Sequence, residues 1–376
     1  MAGIYIHIPF CKQACYYCDF HFSTNFKKKD DILAALVKEL VMRNGECDEP
    51  VETIYFGGGT PSVLSDAEIK LLVDSVYRNY EVAADAEITL EANPDDLTPQ
   101  RIALLPKTGI NRLSIGIQSF FDDDLRMMNR AHDSVQAIAA LDAATKNFDN
   151  ISIDLIYGIP GMSDEKWKQN IKTALSFGVP HISSYALTVE PKTALHKMIA
   201  TAQIAAPEDD AAEAHFHILA DTLSENGFVH YELSNFGKPG FFSRNNSAYW
   251  LGKTYIGIGP SAHSYNGISR SWNVANNSLY LKSIWKGELP SESELLSVAD
   301  RFNEIIMTGL RTIWGISIFR IQKEFGENIH HHLLNSAEKH LANGLLEITS
   351  DTLKTTRKGK FLADGIASDL FLVNLD

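Results

Sequence analysis

The sequence predicts an α/β protein, a partial (β/α)6 barrel followed by a mostly helical, winged-helix-like domain. Short apolar runs alternate with amphipathic stretches at a period of roughly 30 residues, the rhythm of repeated βα units. That rhythm stops near Pro207, and the chain beyond residue 298 reads as three helices, a ribbon and a final helix. At 376 residues the chain exceeds the size at which one core keeps growing, so two domains are expected. They are a barrel over 1–234 and a C-terminal domain over 235–376 that includes a connecting segment, 235–297.

Strands are expected over 4–8, 53–56, 87–90, 112–116, 151–156 and 181–186, with helices over 31–42, 66–79, 99–105, 134–146 and 165–177. Two helix starts are marked. Ser65-Asp66-Ala67-Glu68 is a capping box, and Thr98-Pro99 is an N-cap followed by proline at the first helical position. Parallel strands joined by helical crossovers wind right-handed, and ligands in such arrays bind at the carboxyl ends of the strands. A helix over 211–226 and a strand over 228–233 lead into 235–277, which is rich in Gly, Asn, Ser and aromatics and has little periodicity. This stretch is expected to be an irregular crossover covering the open face of the barrel. Helices over 299–310, 318–325 and 329–342, a ribbon of 346–349 and 353–355, and a helix from 358 complete the chain.

A formal charge of −13 argues against a nucleic-acid partner and an anionic membrane surface. Residues 301–376 hold nine Lys or Arg against nine Asp or Glu, so the winged-helix shape carries no basic footprint. No apolar run is long enough for an integral membrane segment, and the N-terminus lacks a leader pattern. A cytoplasmic location is expected, where a reducing environment keeps thiols available to metal.

The chemistry concentrates in Cys11-Lys-Gln-Ala-Cys15-Tyr-Tyr-Cys18, which follows the apolar run Ile4, Ile6 and Ile8. Zinc would want a second ligand pair, and four cysteines are too few for a disulfide framework. A soft iron-sulfur centre fits better. A cubane cluster has four irons, so three thiolates leave one iron open to a chelating molecule. Gly57-Gly58-Gly59-Thr60-Pro61 follows a second strand, where bare backbone allows close approach. Glu91, Gln118, Ser119, Arg130 and Asp154 fall at or near later strand ends and suit a zwitterionic, ribose-bearing ligand. His330-His331-His332 sit on consecutive helical positions about 100° apart, so they are expected not to converge on one ion and to be solvated helix residues.

The order IHIPFC, YFGGGTP, LEANP, GIQSF, NRAH and DLIYGIP resembles the radical S-adenosylmethionine (SAM) superfamily. Within it, the chain is similar to the oxygen-independent coproporphyrinogen III oxidases and to the haem chaperones related to them. The resemblance implies a [4Fe-4S] cluster on Cys11, Cys15 and Cys18. It implies SAM contacts at Tyr5, Tyr17, Gly58, Gly59, Thr60, Glu91, Gln118, Arg130, Asp154 and Ala186. A haem or porphyrin ligand, a reductant such as a flavodoxin and a haem-acceptor protein would be the partners.

Two activities stay open. One is oxidative decarboxylation of coproporphyrinogen III, and the other is carriage of haem. The oxidases carry a further cysteine two residues after the third, where this chain has Phe20, and a long N-terminal extension, whereas here the first strand is expected at residue 4. Both features favour carriage. The family motif H-N-x-x-Y-W, implicated in haem binding, stands here as Asn245-Asn246-Ser-Ala-Tyr249-Trp250. An amide ligates haem iron poorly compared with imidazole, so altered haem ligation is expected, with His263 as the substitute.

Overall fold

Six parallel strands lie side by side in chain order at the centre of the computed structural model, which describes residues 2–47 and 49–373. They are β1 (Ala2–Ile8), β2 (Val51–Gly58), β3 (Val82–Ala92), β4 (Arg112–Gln118), β5 (Ile151–Tyr157) and β6 (His181–Ala186). Helices Lys29–Met42, Asp66–Asn79, Ser134–Thr145 and Asp164–Ser176 supply the crossovers, and the expected helix over 99–105 is a single turn, Pro99–Ile102. The capping box forms as expected at Ser65 and Glu68, and the Thr98 side chain accepts from Arg101 N.

Alternation along the strands explains both faces of the barrel. Ile4, Ile6 and Ile8 of β1, Ile88 and Leu90 of β3, and Leu113, Ile115 and Ile117 of β4 are buried in the main core. The intervening residues Tyr5, Glu91, Ser114 and Asp154 line interior cavities instead. The barrel therefore has an apolar shell and a polar lumen.

The segment after residue 234 differs from expectation. Instead of an irregular crossover, it supplies strands to both edges of one twelve-stranded sheet. On one side β8 (Asn235–Gly237) lies antiparallel to β6 and pairs with β7 (Val229–Glu232), the strand expected over 228–233, at the sheet's edge. On the other side, β9 (Thr254–Ile258) lies parallel to β1, followed by antiparallel β10 (His263–Tyr265), β11 (Ser269–Asn273) and β12 (Ser291–Leu295). Helix Arg244–Trp250 closes the amino-terminal end of the barrel, not its open face: Arg244 N and Asn245 N donate to the Glu87 carboxylate at 3.0 and 3.2 Å. These strands are short and mix Gly and Ser with aromatics, which hides their period. The connecting segment grouped with the C-terminal domain thus places its strands in the barrel sheet.

One buried carboxylate holds this extension. Glu39, on the first crossover helix, accepts from Tyr280 OH and Asn273 Nδ2 at 2.7 Å and from Gly259 N at 2.8 Å. Beyond it, helices Val298–Leu310, Ile318–Phe325, Glu327–Ala342 and Ala363–Leu370 surround the sheet of β13 (Ile316–Ser317), β14 (Leu346–Thr349) and β15 (Thr352–Thr355). This winged-helix-like unit has its own core, from Phe302 to Leu370. Arg311 joins it to the barrel through Glu232 at 3.2 Å and lies 5.0 Å from the Trp250 ring centroid.

Candidate functional site

The three thiols stand on the loop leaving β1, held from two sides. Gly59 N donates to Ile8 O at 2.9 Å and Thr60 N to Phe10 O at 2.8 Å, so the glycine run lies along the start of the cysteine loop. A Cβ on Gly59 would sit 2.7 Å from those two carbonyl oxygens, and for this reason the position needs glycine. From the other side, Asn129 Nδ2 donates to Ala14 O at 2.7 Å and Tyr16 N to Met128 O at 3.1 Å.

The sulfurs already have hydrogen-bond donors. Thr60 Oγ1 donates to Cys11 Sγ, and Arg130 Nη1 to Cys15 Sγ, each at 3.3 Å. Burial pushes the Cys11 and Cys18 thiols up to about 11, so a soft cation taking them as thiolates would displace protons. Three thiols on one loop with donors aimed at sulfur fit an iron-sulfur cluster with one iron unligated by protein. Among the described residues, no further cysteine or histidine completes a zinc set there.

A cavity of about 450 Å³ opens beside these thiols at the carboxyl ends of the strands. Every expected SAM contact except Tyr5 lines it: Tyr17, Gly58, Gly59, Thr60, Glu91, Gln118, Arg130, Asp154 and Ala186. Arg130 is the hub, donating also to Asn93 Oδ1 at 2.7 Å and Gly116 O at 3.0 Å. Gln118 takes a left-handed φ of 64° where β4 ends, a strained conformation of the kind that concentrates at functional sites. Burial pushes the Glu91 carboxyl up to about 7, with the Asp154 charge adding to it, although Tyr55 OH donates to Glu91 at 2.6 Å. Burial likewise pushes Asp154 up to about 6 against the pull of Arg112.

Tyr5 faces a second cavity, of about 390 Å³, running along β1 from the cysteine loop to helix Arg244–Trp250. Asp19 and Phe20 border both cavities. Asn245, Tyr249 and His263 line the second one, as do His7, His21 and Tyr255. Trp250 does not join them. One helical step turns it toward the junction with the C-terminal unit, where it lies near Arg311. His7 is committed to structure, because Nε2 donates to His21 O at 2.8 Å while Nδ1 accepts from Tyr5 OH at 3.2 Å; burial pushes it down to about 4, so it is neutral. His21 donates from Nε2 to Asn277 Oδ1 at 2.8 Å. His263 has no ring hydrogen bond among the described residues, and its Trp272 neighbour is 6.2 Å away between ring centroids.

A third, polar cavity of about 270 Å³ fills the lumen, lined by Arg112, Asp154, Tyr55, Tyr185 and Asn246 among others. Sequence reasoning missed Tyr55, Arg112 and Tyr255 as lining residues. The alternation of the parent strands is the signal that would have found them. On the C-terminal unit, ligand atoms of Glu327, His330 and His331 lie within 4.8 Å of one another, closer than helical spacing suggested. The rings of His330 and His331 tilt together at 5.6 Å, bringing them within reach of the glutamate one turn earlier.

Comparison with known proteins agrees with this geometry. Residues 5–174 match the radical SAM superfamily and residues 296–362 the HemN C-terminal domain. The chain is 36% identical to the haem chaperone HemW of Mycobacterium tuberculosis over 375 residues, covering 98% of this chain and 94% of that one. Identity to the haem chaperone HemW of Bacillus subtilis is 34% over 372 residues, 97% and 98% of the two chains. Among solved structures, the Escherichia coli coproporphyrinogen III oxidase HemN superposes with a TM-score of 0.85 over 98% of this chain and 90% of that one; at 24% identity this likeness shows the fold.

Proposed function

The chain belongs to the HemW haem-chaperone family within the radical SAM superfamily, and on that premise we propose that it binds haem and delivers it to an acceptor protein. The supporting observation is the pair of adjoining cavities, one beside three thiols and one lined by histidines and tyrosines, parted by Asp19 and Phe20. Cys11, Cys15 and Cys18 hold the [4Fe-4S] cluster, with Thr60 and Arg130 donating to two of the sulfurs. When bound, cluster and SAM supply one-electron reductive chemistry, drawing on a reductant of the flavodoxin type. The chain's part is to orient the nucleotide and exclude water: Arg130 answers its carboxylate, while Glu91 and Asp154 answer its ammonium and hydroxyls. Tyr5 belongs to the haem side.

This assignment makes SAM binding pH-dependent. A carboxyl raised to about 7 is increasingly neutral below that value, so Glu91 attracts a cation less as pH falls through it. SAM affinity is expected to drop about threefold to tenfold between pH 8 and pH 6, as calorimetry would show. Glu91→Gln should flatten that dependence.

Haem occupies the second cavity, with His263 as an iron ligand in place of the motif imidazole. Titrating haem into the protein while following the Soret band checks this. Asn245→His is expected to tighten binding about tenfold, because it adds an imidazole to the same cavity wall. His263→Ala is expected to shift the band and weaken binding; an unchanged spectrum would dismiss His263. Carriage itself is tested by mixing haem-loaded protein with an apo-globin. Transfer is expected, and retention of all haem would contradict delivery.

A further inference from the structure

We propose that the groove between the barrel edge and the C-terminal unit binds the carboxylate arms of a tetrapyrrole whose ring lies in the histidine-bearing cavity. This inference rests on the haem-carrier reading. Strand register supplies the first support. Tyr5 pairs with Gly257, Tyr265 with both Tyr255 and Arg270, and His263 with Trp272, so these side chains project from one face of the sheet. That face is an aromatic bed running outward from β1, and Arg270 lies at its far end.

The groove begins where the bed ends. Tyr249 and Tyr255 border both the haem cavity and the groove, so the two spaces adjoin across those rings. At about 160 Å³ the groove is too small for a macrocycle but admits flexible carboxylate arms. Three guanidinium groups line it, from Arg270, Arg301 and Arg320, against the carboxylates of Glu304 and Glu324. In a chain of formal charge −13 this is a local reversal of sign.

The arginines differ in what they leave open. Arg270 pairs with Glu304 at 2.9 Å, yet its Nε is buried without a hydrogen-bond partner. Arg320 pairs with Glu324 at 2.9 Å. Arg301 has no carboxylate within ion-pair distance among the described residues, and its guanidinium lies 5.8 Å from the Phe325 ring centroid. A planar, fixed donor fork on an aromatic face, one short step from an aromatic bed, suits a ligand that is flat and apolar at one end and dianionic at the other.

Comparing haem with haem dimethyl ester, which lacks free carboxylates, tests the assignment by Soret titration. Wild-type protein is expected to bind haem about tenfold more tightly than the ester. In Arg301→Glu and in the milder Arg301→Gln that gap should shrink to about twofold or less, with the Soret maximum unmoved because the iron ligand is untouched. Equal affinity of wild type for haem and ester would overturn the proposal, as would a gap that survives both variants. Lys253 at the cavity rim is the rival partner, and a gap that closes only in Lys253→Ala would also overturn it. If neither ligand binds, the haem-carrier reading falls and takes this inference with it; if both bind equally, the inference falls alone.

Discussion

Cys18→Ala is expected to abolish cluster assembly. Anaerobic reconstitution with iron and sulfide should leave less than about a tenth of the wild-type iron and sulfide content, and SAM cleavage should be lost with it. The reason is geometric: the thiols of Cys11, Cys15 and Cys18 border one cavity, and no other cysteine or histidine of the described residues stands there to replace a missing one. Cys47 lines a different cavity, and Cys47→Ala should reconstitute as wild type does. Chemical analysis for iron and acid-labile sulfide checks both variants. A fully loaded Cys18→Ala protein would break the ligand assignment.

Glu39→Ala is expected to cost about 3–5 kcal/mol of stability, because it leaves the Arg43 guanidinium only the more distant Glu46 carboxylate, at 3.7 Å, and strips Tyr280, Asn273 and Gly259 of their acceptor. Arg43 is only 3% exposed, so water cannot replace what is lost. The consequence reaches the histidine-lined cavity. Glu39 links the first crossover helix to the turn after β9 and to Asn273 at the end of β11, and β9 carries Tyr255. Urea denaturation should show the loss, and haem affinity should fall alongside it. Glu39→Gln retains an acceptor oxygen and should lose less. Equal stability of Glu39→Ala and wild type would remove this carboxylate from its place as the clamp.

The barrel was legible because its strands and helices carry strong local signals. Ile4, Ile6 and Ile8 alternate with residues that face inward, and Ser65 with Glu68 marks a helix start that the fold uses. The thiol loop was legible for another reason, since three soft ligands within a span of eight residues are unusual whatever surrounds them. The strands β9 to β12 were not. Thr254–Ile258 is five residues long with a glycine, and His263–Tyr265 only three, so propensity is weak and pairing with β1 is decided by tertiary contact through Glu39. The histidine-lined cavity follows from that pairing. Its lining comes from residues as distant as Tyr5 and His263, whose shared face emerges only once β9 is known to lie against β1. Trp250 shows the converse limit, because a motif read as a unit is divided by the helix that carries it.

The most direct measurement is an oxygen-free assay of the reconstituted protein with SAM, a one-electron reductant, coproporphyrinogen III and haem, following all products together. The expected result is iron-sulfur absorption, cleavage of SAM and uptake of haem, with coproporphyrinogen III unchanged. Formation of protoporphyrinogen at a useful rate, or a colourless protein that takes up zinc instead of iron and sulfide, would contradict the account.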